Sequence, residues 1–339
     1  MWLCVFFVYL CVIALDIMDL ILPEFSDIVD AHNRIRKYIH KTPILTSRSL
    51  DSIFGCELYF KCENFQKVGA FKFRGATNAV MSLTEEEASR GVGTHSSGNH
   101  AAALCAAARL RNIEAFIVMP RNAPEIKIKA VKGYGGKITF CKPTLESREV
   151  TMQKIIDEKG ICFIPSYNHF NIIAGQGTSA KELLEEVKDL DIVMAPVGGG
   201  GLISGTAISV KALSTQTRVI AVEPANADDA CRSFKEGRII PSVNPNTIAD
   251  GLLTSLGTLT FAIIKNKVDE IVTVSEEAII HAMKMIWERM KIIIEPSSAV
   301  PMAAIIGNKI DYAGKRIGII ISGGNVDLNK LPFTSVEGN

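Results

Sequence analysis

The stretch Gly69-Ala-Phe-Lys-Phe-Arg-Gly75 places a lysine, Lys72, between two phenylalanines, with a glycine at each end. It follows an apolar segment, residues 58–62, that predicts a β-strand, and it leads into residues 75–83, which predict a helix. A lysine between aromatic side chains is often a surface residue whose stem lies along apolar neighbours. If it is buried instead, desolvation lowers the pKa of the amine and leaves a neutral nucleophile. The rest of the chain decides between these two interpretations.

Downstream of this stretch, short apolar segments alternate with helical segments of ten or so residues. The further predicted strands are residues 115–119, 137–141, 161–164, 192–197, 219–222 and 316–321. The predicted helices are residues 25–39, 101–110, 126–134, 178–187, 202–213 and 276–293. Strand–helix alternation is typical of βαβ units around a parallel sheet. The sequence therefore predicts an α/β fold.

The chain length allows two domains. Its 339 residues would give about two domains at roughly 150 residues each. No Pro-rich or low-complexity linker separates two halves, so we predict that one domain is inserted into the other. Residues 84–158 form the predicted small domain, and residues 18–83 and 159–339 form the predicted large domain. Open α/β folds bind ligands at the loops that follow their strands.

Composition narrows the class of protein. The chain has 37 Lys and Arg against 36 Asp and Glu, and this balance gives no basic field that would attract nucleic acid or an anionic membrane. Its eight cysteines include no Cys-x-x-Cys pair and no zinc spacing. We interpret them as reduced thiols of a cytoplasmic protein. A small polar molecule is the expected ligand.

The first residues differ from the rest. Met1 to Leu15 contain no charged residue, but Asp16 and Asp19 interrupt the apolar run before the about 20 residues that a membrane-spanning helix needs. A secretory signal normally begins with basic residues, and this run has none. We interpret residues 1–17 as an N-terminal extension ahead of an alternative initiator, Met18. A membrane anchor and a signal sequence are the alternatives.

The most specific local feature is the tetraglycine loop, Gly198-Gly-Gly-Gly201, between a predicted strand and a predicted helix. Consecutive glycines let backbone N–H groups surround an anion at the N-terminus of a helix. The loop lacks the Gly-Lys-Ser/Thr of a nucleotide-binding P-loop, and no acidic residue is placed to bind a dinucleotide ribose. A structural turn is the alternative. We predict a site for one phosphate group, such as that of a coenzyme.

Two further loops carry hydroxyl and amide groups. Ser96-Ser-Gly-Asn-His100 precedes an alanine-rich helix, and Ser322-Gly-Gly-Asn325 follows the last predicted strand. The first loop offers donors to an anion, although helix capping alone would explain one serine. The second is either a simple turn or a place where a hydroxyl hydrogen-bonds a buried ring nitrogen. We predict that both loops surround the same coenzyme as Lys72 and the tetraglycine loop.

These motifs resemble those of the fold-type II, tryptophan-synthase-β-like enzymes that use pyridoxal phosphate (PLP). Within them, the chain is most similar to the serine racemase branch of the serine/threonine dehydratases. The likeness covers residues 25–330 and includes Ala174-Gly-Gln-Gly-Thr178, Glu223-Pro-x-Asn-Ala-Asp-Asp229, Ile248-Ala-Asp-Gly251, Trp287-Glu-Arg-Met-Lys291 and Glu295-Pro296. It implies two α/β domains with parallel or mixed sheets and the cofactor in the cleft between them.

The resemblance also implies how the cofactor is held. Lys72 would hold PLP as a Schiff base and act as a base on one face of the substrate Cα. Phe71 would pack near the ring, Asn99 would bond its 3-hydroxyl, and Ser322 would face its pyridine nitrogen. The phosphate would be bound by Gly198, Gly199, Gly200 and Gly201. A neutral partner at the pyridine nitrogen makes the ring a milder electron sink than an aspartate would, which suits β-elimination and racemisation.

The substrate would lie beside the first of the two loops that carry hydroxyl and amide groups, residues 96–100, which we call the serine–asparagine loop. By resemblance, Ser96, Ser97, Asn99 and His100 would hold the substrate carboxylate and its surroundings, and Arg148 would help to bind the substrate. Ser97 would be a second base on the opposite face of Cα. Racemisation requires a proton donor and acceptor on both faces. Relatives that only dehydrate often have alanine at this position, so Ser97 favours a racemase.

Two effector sites are implied as well. Glu223, the carbonyl of Ala227 and Asp229 match the family's divalent-cation site, and hard oxygen ligands suit Mg²⁺, Ca²⁺ or Mn²⁺. A pair of helix-end carboxylates without an ion is the alternative. The positions that match those binding ATP between subunits in animal serine racemases are Lys67, Tyr134, Lys291 and Asn325.

The chain departs from the family pattern near this nucleotide site. Val68 and Ala70 stand where relatives have Thr and Ser, Ala101-Ala102 replaces Gly-Gln, and Arg48 occupies a usually small polar position. These changes remove hydroxyl and amide contacts that a nucleotide would use, whereas the predicted catalytic residues are retained.

The resemblance thus implies a cytoplasmic, homodimeric enzyme that interconverts L-serine and D-serine, with some β-elimination to pyruvate and ammonia. The first alternative is a serine/threonine dehydratase with little racemisation. The second is a catalytically silent PLP-fold protein that only binds a ligand, which the intact Lys72 and tetraglycine loop disfavour. The sequence leaves the use of threonine or 3-hydroxyaspartate open.

Overall fold

The computed structural model describes residues 20–96, 98–123 and 125–333. Its strands are β1 (Ile44–Leu45), β2 (Glu57–Cys62), β3 (Val92–Thr94), β4 (Ala115–Pro120), β5 (Lys137–Cys141), β6 (Cys162–Phe163), β7 (Ile192–Pro196), β8 (Arg218–Pro224), β9 (Glu270–Val274) and β10 (Arg316–Ile321).

The helices alternate with these strands along most of the chain. They are α1 (Phe25–Ile35), α2 (Arg48–Phe54), α3 (Lys72–Met81), α4 (Glu85–Ser89), α5 (Asn99–Leu110), α6 (Glu125–Gly133), α7 (Leu145–Lys159), α8 (Phe170–Glu186), α9 (Gly201–Leu213), α10 (Asp229–Glu236), α11 (Thr258–Lys267), α12 (Glu276–Met290) and α13 (Pro296–Ile306).

The strands form two sheets. The six-stranded sheet has the order β1-β2-β10-β7-β8-β9, and the four-stranded sheet has the order β5-β4-β3-β6. β1 pairs with β2 in antiparallel fashion, and the other neighbouring strands are parallel. Parallel strands are covered on both faces and are therefore apolar throughout, as β7 and residues 317–321 of β10 are. The predicted α/β fold with two sheets is confirmed.

The start of α8 differs from the predicted helix at 178–187. The helix begins eight residues earlier, at Phe170, and so includes Ala174-Gly-Gln-Gly-Thr178. Two glycines account for this, because a Cβ at Gly175 would lie 2.6 Å from Gly75 Cα and a Cβ at Gly177 would lie 2.8 Å from Gly205 O. These glycines bring α8 close to α3 and α9 and do not interrupt the helix.

Two predicted helices end early. α1 ends at Ile35 and not near residue 39. α12 begins after Ser275, whose side chain accepts a hydrogen bond from Ala278 N, and it ends at Met290 because Lys291 adopts a φ of 59°. A left-handed residue at this position is a common way to terminate a helix.

Helix α3 packs into the apolar core of the four-stranded sheet. Phe73 and Val80 of α3 pack in one buried cluster with Val92, Leu104 and Ile117 of the four-stranded layer. The domain boundaries at residues 84–158 stay a prediction, and residues 1–17 lie outside the described part of the chain. Within the described part, no helix is long and apolar enough to cross a membrane.

Candidate active site

Loops from both sheets meet at Lys72, the first residue of α3. Lys72 Nζ donates a hydrogen bond to Ser166 O, 2.8 Å away, just after β6 of the four-stranded sheet. Phe71 N donates to Ser322 O, 2.9 Å away, just after β10 of the six-stranded sheet. Lys72 therefore lies between the two sheets and not along an open surface.

The surroundings of Lys72 change its ionisation. Burial lowers the pKa of its amine to about 8, against a smaller opposing effect of the Glu295 carboxylate. Its Nζ lies 5.0 Å from the centre of the Phe71 ring. A fraction of Lys72 is therefore a neutral nucleophile near neutral pH, which favours the second interpretation of this stretch, a lysine withdrawn from water, over a surface side chain.

The tetraglycine loop connects β7 to α9. Gly200 has a φ of 90°, in the left-handed region, and helix α9 starts at the next residue. A Cβ at Gly199 would lie 2.3 Å from a ring carbon of Tyr167, and one at Gly198 would lie 2.8 Å from Leu252 Cα. The first amides of a helix have no acceptor within it, so they favour an anion. The loop therefore fits the phosphate group of PLP.

Asn99 is held by two residues from other parts of the chain. Its Nδ2 donates to both carboxylate oxygens of Glu295, at 3.0 and 3.1 Å, and its Oδ1 accepts from Asn325 Nδ2 at 3.0 Å. Glu295 is 5% exposed, and burial raises the pKa of its carboxyl to about 7. These contacts fix the orientation of the Asn99 amide.

Ser322 is buried in a hydroxyl pair. Its Oγ lies 2.9 Å from Ser298 Oγ, which also donates to Gly323 O. The Ser322–Asn325 loop is bonded along the Lys72 stretch, because Gly324 N donates to Gly69 O and Asn325 Nδ2 donates to Val68 O. A neutral hydroxyl is thus placed beside Phe71 and Lys72, where it fits a ring nitrogen.

The serine–asparagine loop and the residue before it, His95, bring two imidazoles to the site. His100 Nε2 lies 2.9 Å from Ile164 O, and burial, helped by Lys72, lowers its pKa to about 3. His95 stacks on Phe163 at 5.2 Å between ring centres, and burial lowers the pKa of its imidazole. Both rings are therefore neutral at neutral pH.

The predicted substrate residues are partly brought together here. Ser96 Oγ accepts a hydrogen bond from Gly98 N at 3.4 Å. Arg148, on α7, has a buried Nε without a hydrogen-bond partner, and its charge contributes to the low pKa of His95 after burial. Ser97, the predicted second base, lies outside the described residues.

The predicted cation site joins the end of β8 to the start of α10. Glu223 and Asp229 are each 1% exposed, and burial raises their pKa values to about 8 and about 6. Asp229 Oδ2 is buried without a hydrogen-bond partner. The described residues contain no group of three or more His, Cys, Asp or Glu that could hold a metal, so a cation would also use the carbonyl of Ala227. These hard oxygens fit Mg²⁺ or Ca²⁺.

The four predicted nucleotide positions are not joined to one another by hydrogen bonds or ion pairs within the described part. Lys67 Nζ lies 5.8 Å from the centre of the Phe73 ring. Tyr134 lines a cavity of about 310 Å³, Lys291 ends α12, and Asn325 contacts Asn99.

Sequence reasoning missed several residues of the site. It assigned no role to Ser166, whose carbonyl accepts from Lys72, or to Tyr167, whose ring closes over the tetraglycine loop. Glu295 carried one signal, since a carboxylate directly after Ile292-Ile-Ile294 is an unusual charge in an apolar run.

Comparisons with known proteins agree with this geometry. Residues 35–323 match the family model described as pyridoxal-phosphate dependent enzyme. The chain is 54% identical over 312 residues to the beta-hydroxyaspartate dehydratase of Paracoccus denitrificans (92% of this chain, 99% of the relative). It is 52% identical over 310 residues to the serine racemase of Dictyostelium discoideum (90% of this chain, 96% of the relative). A crystal structure of a Dictyostelium discoideum serine racemase superposes with a TM-score of 0.87 at 52% identity, covering 90% of this chain and 99% of the other. The chain therefore belongs to the pyridoxal-phosphate-dependent enzymes of fold type II.

Proposed function

We propose that this enzyme interconverts L-serine and D-serine and also eliminates ammonia from serine to give pyruvate. The observation that carries the proposal is the half-buried Lys72 amine, which lies between loops of both sheets with its pKa lowered to about 8. An amine with this pKa both attacks a carbonyl and exchanges a proton with a substrate carbon near neutral pH.

In this proposal the cofactor supplies the electron sink, and residues of the protein bind the cofactor and exchange the proton. PLP supplies an electron sink for the substrate Cα. Lys72 Nζ would bind it covalently and exchange the Cα proton, the tetraglycine loop and the start of α9 would bind its phosphate, and Phe71 would pack against its ring. Asn99 would lie at the 3-hydroxyl, and the neutral hydroxyl of Ser322 at the pyridine nitrogen, where it adds no negative charge.

The racemase proposal depends on Ser97 as the second base. We expect Ser97→Ala to lower racemisation of L-serine by about 10²-fold or more, the usual contribution of a positioned acid–base group, and to change elimination much less. Chiral chromatography of the serine pool and a pyruvate assay measure the two rates. Ser89→Ala, on the surface helix α4, is the control. Equal losses of both activities would contradict a two-base mechanism.

A second candidate activity is elimination of ammonia from 3-hydroxyaspartate. Arg148 has no ion-pair partner within the described ranges, and His169 Nδ1 is buried without a hydrogen-bond partner. Both are free to bind a second carboxylate, and a relative named for this activity is 54% identical.

Substrate comparison tests this candidate. We expect Arg148→Met to lower kcat/KM for 3-hydroxyaspartate by about 10-fold or more relative to serine, because a charged hydrogen bond contributes roughly 1.5–3 kcal/mol. Exposed Arg121→Met is the control. If Arg148→Met lowers both kcat/KM values by the same factor, the arginine does not read a second carboxylate.

We also propose that Glu223, Ala227 and Asp229 bind Mg²⁺ or Ca²⁺. Mg²⁺ at 100 times its Kd should then stabilise the protein by about 2.7 kcal/mol, measured as a rise in Tm that EDTA reverses. Glu223→Gln should remove this rise, whereas Glu236→Gln, an exposed change on α10, should retain it. A Tm that responds to neither Mg²⁺ nor EDTA would favour the carboxylate pair without an ion.

We also propose that ATP is an effector and that the enzyme is a homodimer. Titration of the activity with ATP, with Lys291→Ala as the comparison, tests the effector. Sedimentation of the purified enzyme measures its oligomeric state.

A further inference from the structure

One ion pair links the layers of the two sheets. Lys127, on the first turn of α6, donates from its Nζ to Oδ2 of Asp250, at the start of the 3₁₀ turn Asp250–Leu252. Across the described ranges, no other ion pair connects residues 84–158 to the remainder of the chain. Other charged side chains that cross this boundary contact neutral groups in the described ranges, as when Glu295 accepts from Asn99 and Arg111 donates to Val80 O.

Asp250 begins a turn that packs against the tetraglycine loop. A Cβ at Gly198 would lie 2.8 Å from Leu252 Cα and 3.4 Å from Gly251 O. Gly251 N donates to Ser297 Oγ at 3.1 Å, which anchors the turn to the start of α13. A displacement of Asp250 therefore moves backbone that contacts the predicted phosphate-binding loop.

The Lys127 end belongs to the four-stranded layer, where α6 packs against α5 and β5. Both charges of the pair act electrostatically on Glu295, a residue of the candidate site. The pKa of Glu295, raised mainly by burial, is raised further by Asp250 and lowered by Lys127. Glu295 holds Asn99, so the pair lies near the groups that surround the cofactor.

The contacts that join the two layers differ in kind. Around α3 and α5, the two layers share one buried apolar core, which opens only at the cost of exposing apolar surface. At Lys127 and Asp250, which are 28% and 53% exposed, the contact is an ion pair accessible to water. Such a pair contributes little, so the layers separate there at a smaller cost than at the apolar core.

We propose that Lys127 and Asp250 form a latch that holds the cleft closed over substrate and cofactor and couples closure to the phosphate-binding loop. Both are positioning residues, because they act on the tetraglycine loop through the Asp250–Leu252 turn. Breaking the latch favours an open cleft, and it therefore weakens the retention of both ligands without changing the chemical step.

The test compares Lys127→Met, Asp250→Asn and the exchanged pair Lys127→Asp/Asp250→Lys with the wild type. Lys129→Met is the matched control, because it breaks an exposed ion pair with Glu125 on the same helix. We expect each single change at the latch to raise KM by about 1.5- to 5-fold, the range for exposed pairs, with kcat nearly unchanged. The exchanged pair should restore most of the loss, and high salt should bring the wild type close to the variants.

A second measurement needs no substrate. The rate at which the holoenzyme loses PLP on dilution, followed by visible absorbance, should rise by a similar factor in both single variants. This part rests on the PLP family assignment alone, so it holds even if serine is not the substrate.

Three results would overturn the latch. Lys127→Met could behave like Lys129→Met in both measurements. Asp250→Asn could lower KM, which would mean that Lys127 attracts an anionic substrate and does not hold the cleft closed. The exchanged pair could remain as impaired as the single variants, which would show that the two charges do not act on each other.

Discussion

Replacement of Lys72 with alanine should remove the visible absorbance band of the purified protein and lower turnover of L-serine by about 10²–10⁴-fold or more. The amine at this position is held at Ser166 O between the two sheets. Lys37→Ala is the control, because Lys37 is exposed and has no predicted role in the site. A Lys72→Ala protein that kept its visible band would contradict the assignment.

The ionisation of Lys72 also predicts how the rate of PLP binding depends on pH. Only the neutral amine attacks the cofactor aldehyde, and burial lowers the pKa of Lys72 to about 8. Binding of PLP to cofactor-free protein should therefore accelerate as pH rises through about 8 and then level off, whereas a free lysine would titrate near about 10.4. Because the folded-state pKa is depressed, the stability that neutral Lys72 contributes to cofactor-free protein is present above the unfolded-state pKa and is lost as pH falls through about 8. Stopped-flow absorbance measures the binding rate, and a midpoint near the free-lysine value would refute a buried amine.

Arg74→Met should cost about 3–5 kcal/mol of the free energy of unfolding, the usual result of breaking a buried ion pair. Arg74 Nε lies 2.6 Å from Glu63 Oε2, and its Nη1 lies 2.8 Å from Glu182 Oε1. Lys61 Nζ contacts the other oxygen of Glu182 at 2.6 Å. These four side chains are at most 2% exposed, so removal of one cation leaves a buried carboxylate without its partner.

Urea unfolding measures this loss. Arg90→Met is the matched control, since Arg90 pairs with Glu86 at the surface and such pairs contribute about 0–1 kcal/mol. Arg74→Lys should be intermediate or worse, because a lysine keeps the charge but cannot make the paired hydrogen bonds of the guanidinium. Equal losses for Arg74→Met and Arg90→Met would show that the buried cluster adds no more stability than a surface pair.

Local patterns were sufficient to predict the fold class. The strands β7 and β10 are apolar because both of their faces are covered, and that property is readable from consecutive residues. The start of α8 was not predicted, because the glycines at 175 and 177 look like helix breakers until α3 and α9 lie against them. Glycine lowers helix propensity in isolation, but close helix packing reverses the outcome.

For the site, the sequence by itself determined the chemical groups: the Lys72 stretch, the tetraglycine loop, Asn99 and Ser322 each lie in a compact motif. Only the tertiary structure decided which groups meet. It paired Asn99 with Glu295, 196 residues away, turned Asn325 towards Asn99, and joined Lys127 to Asp250. The physical reason is that hydrogen bonds and ion pairs depend on distances set by the packing of two sheets, whereas a motif encodes only neighbours along the chain.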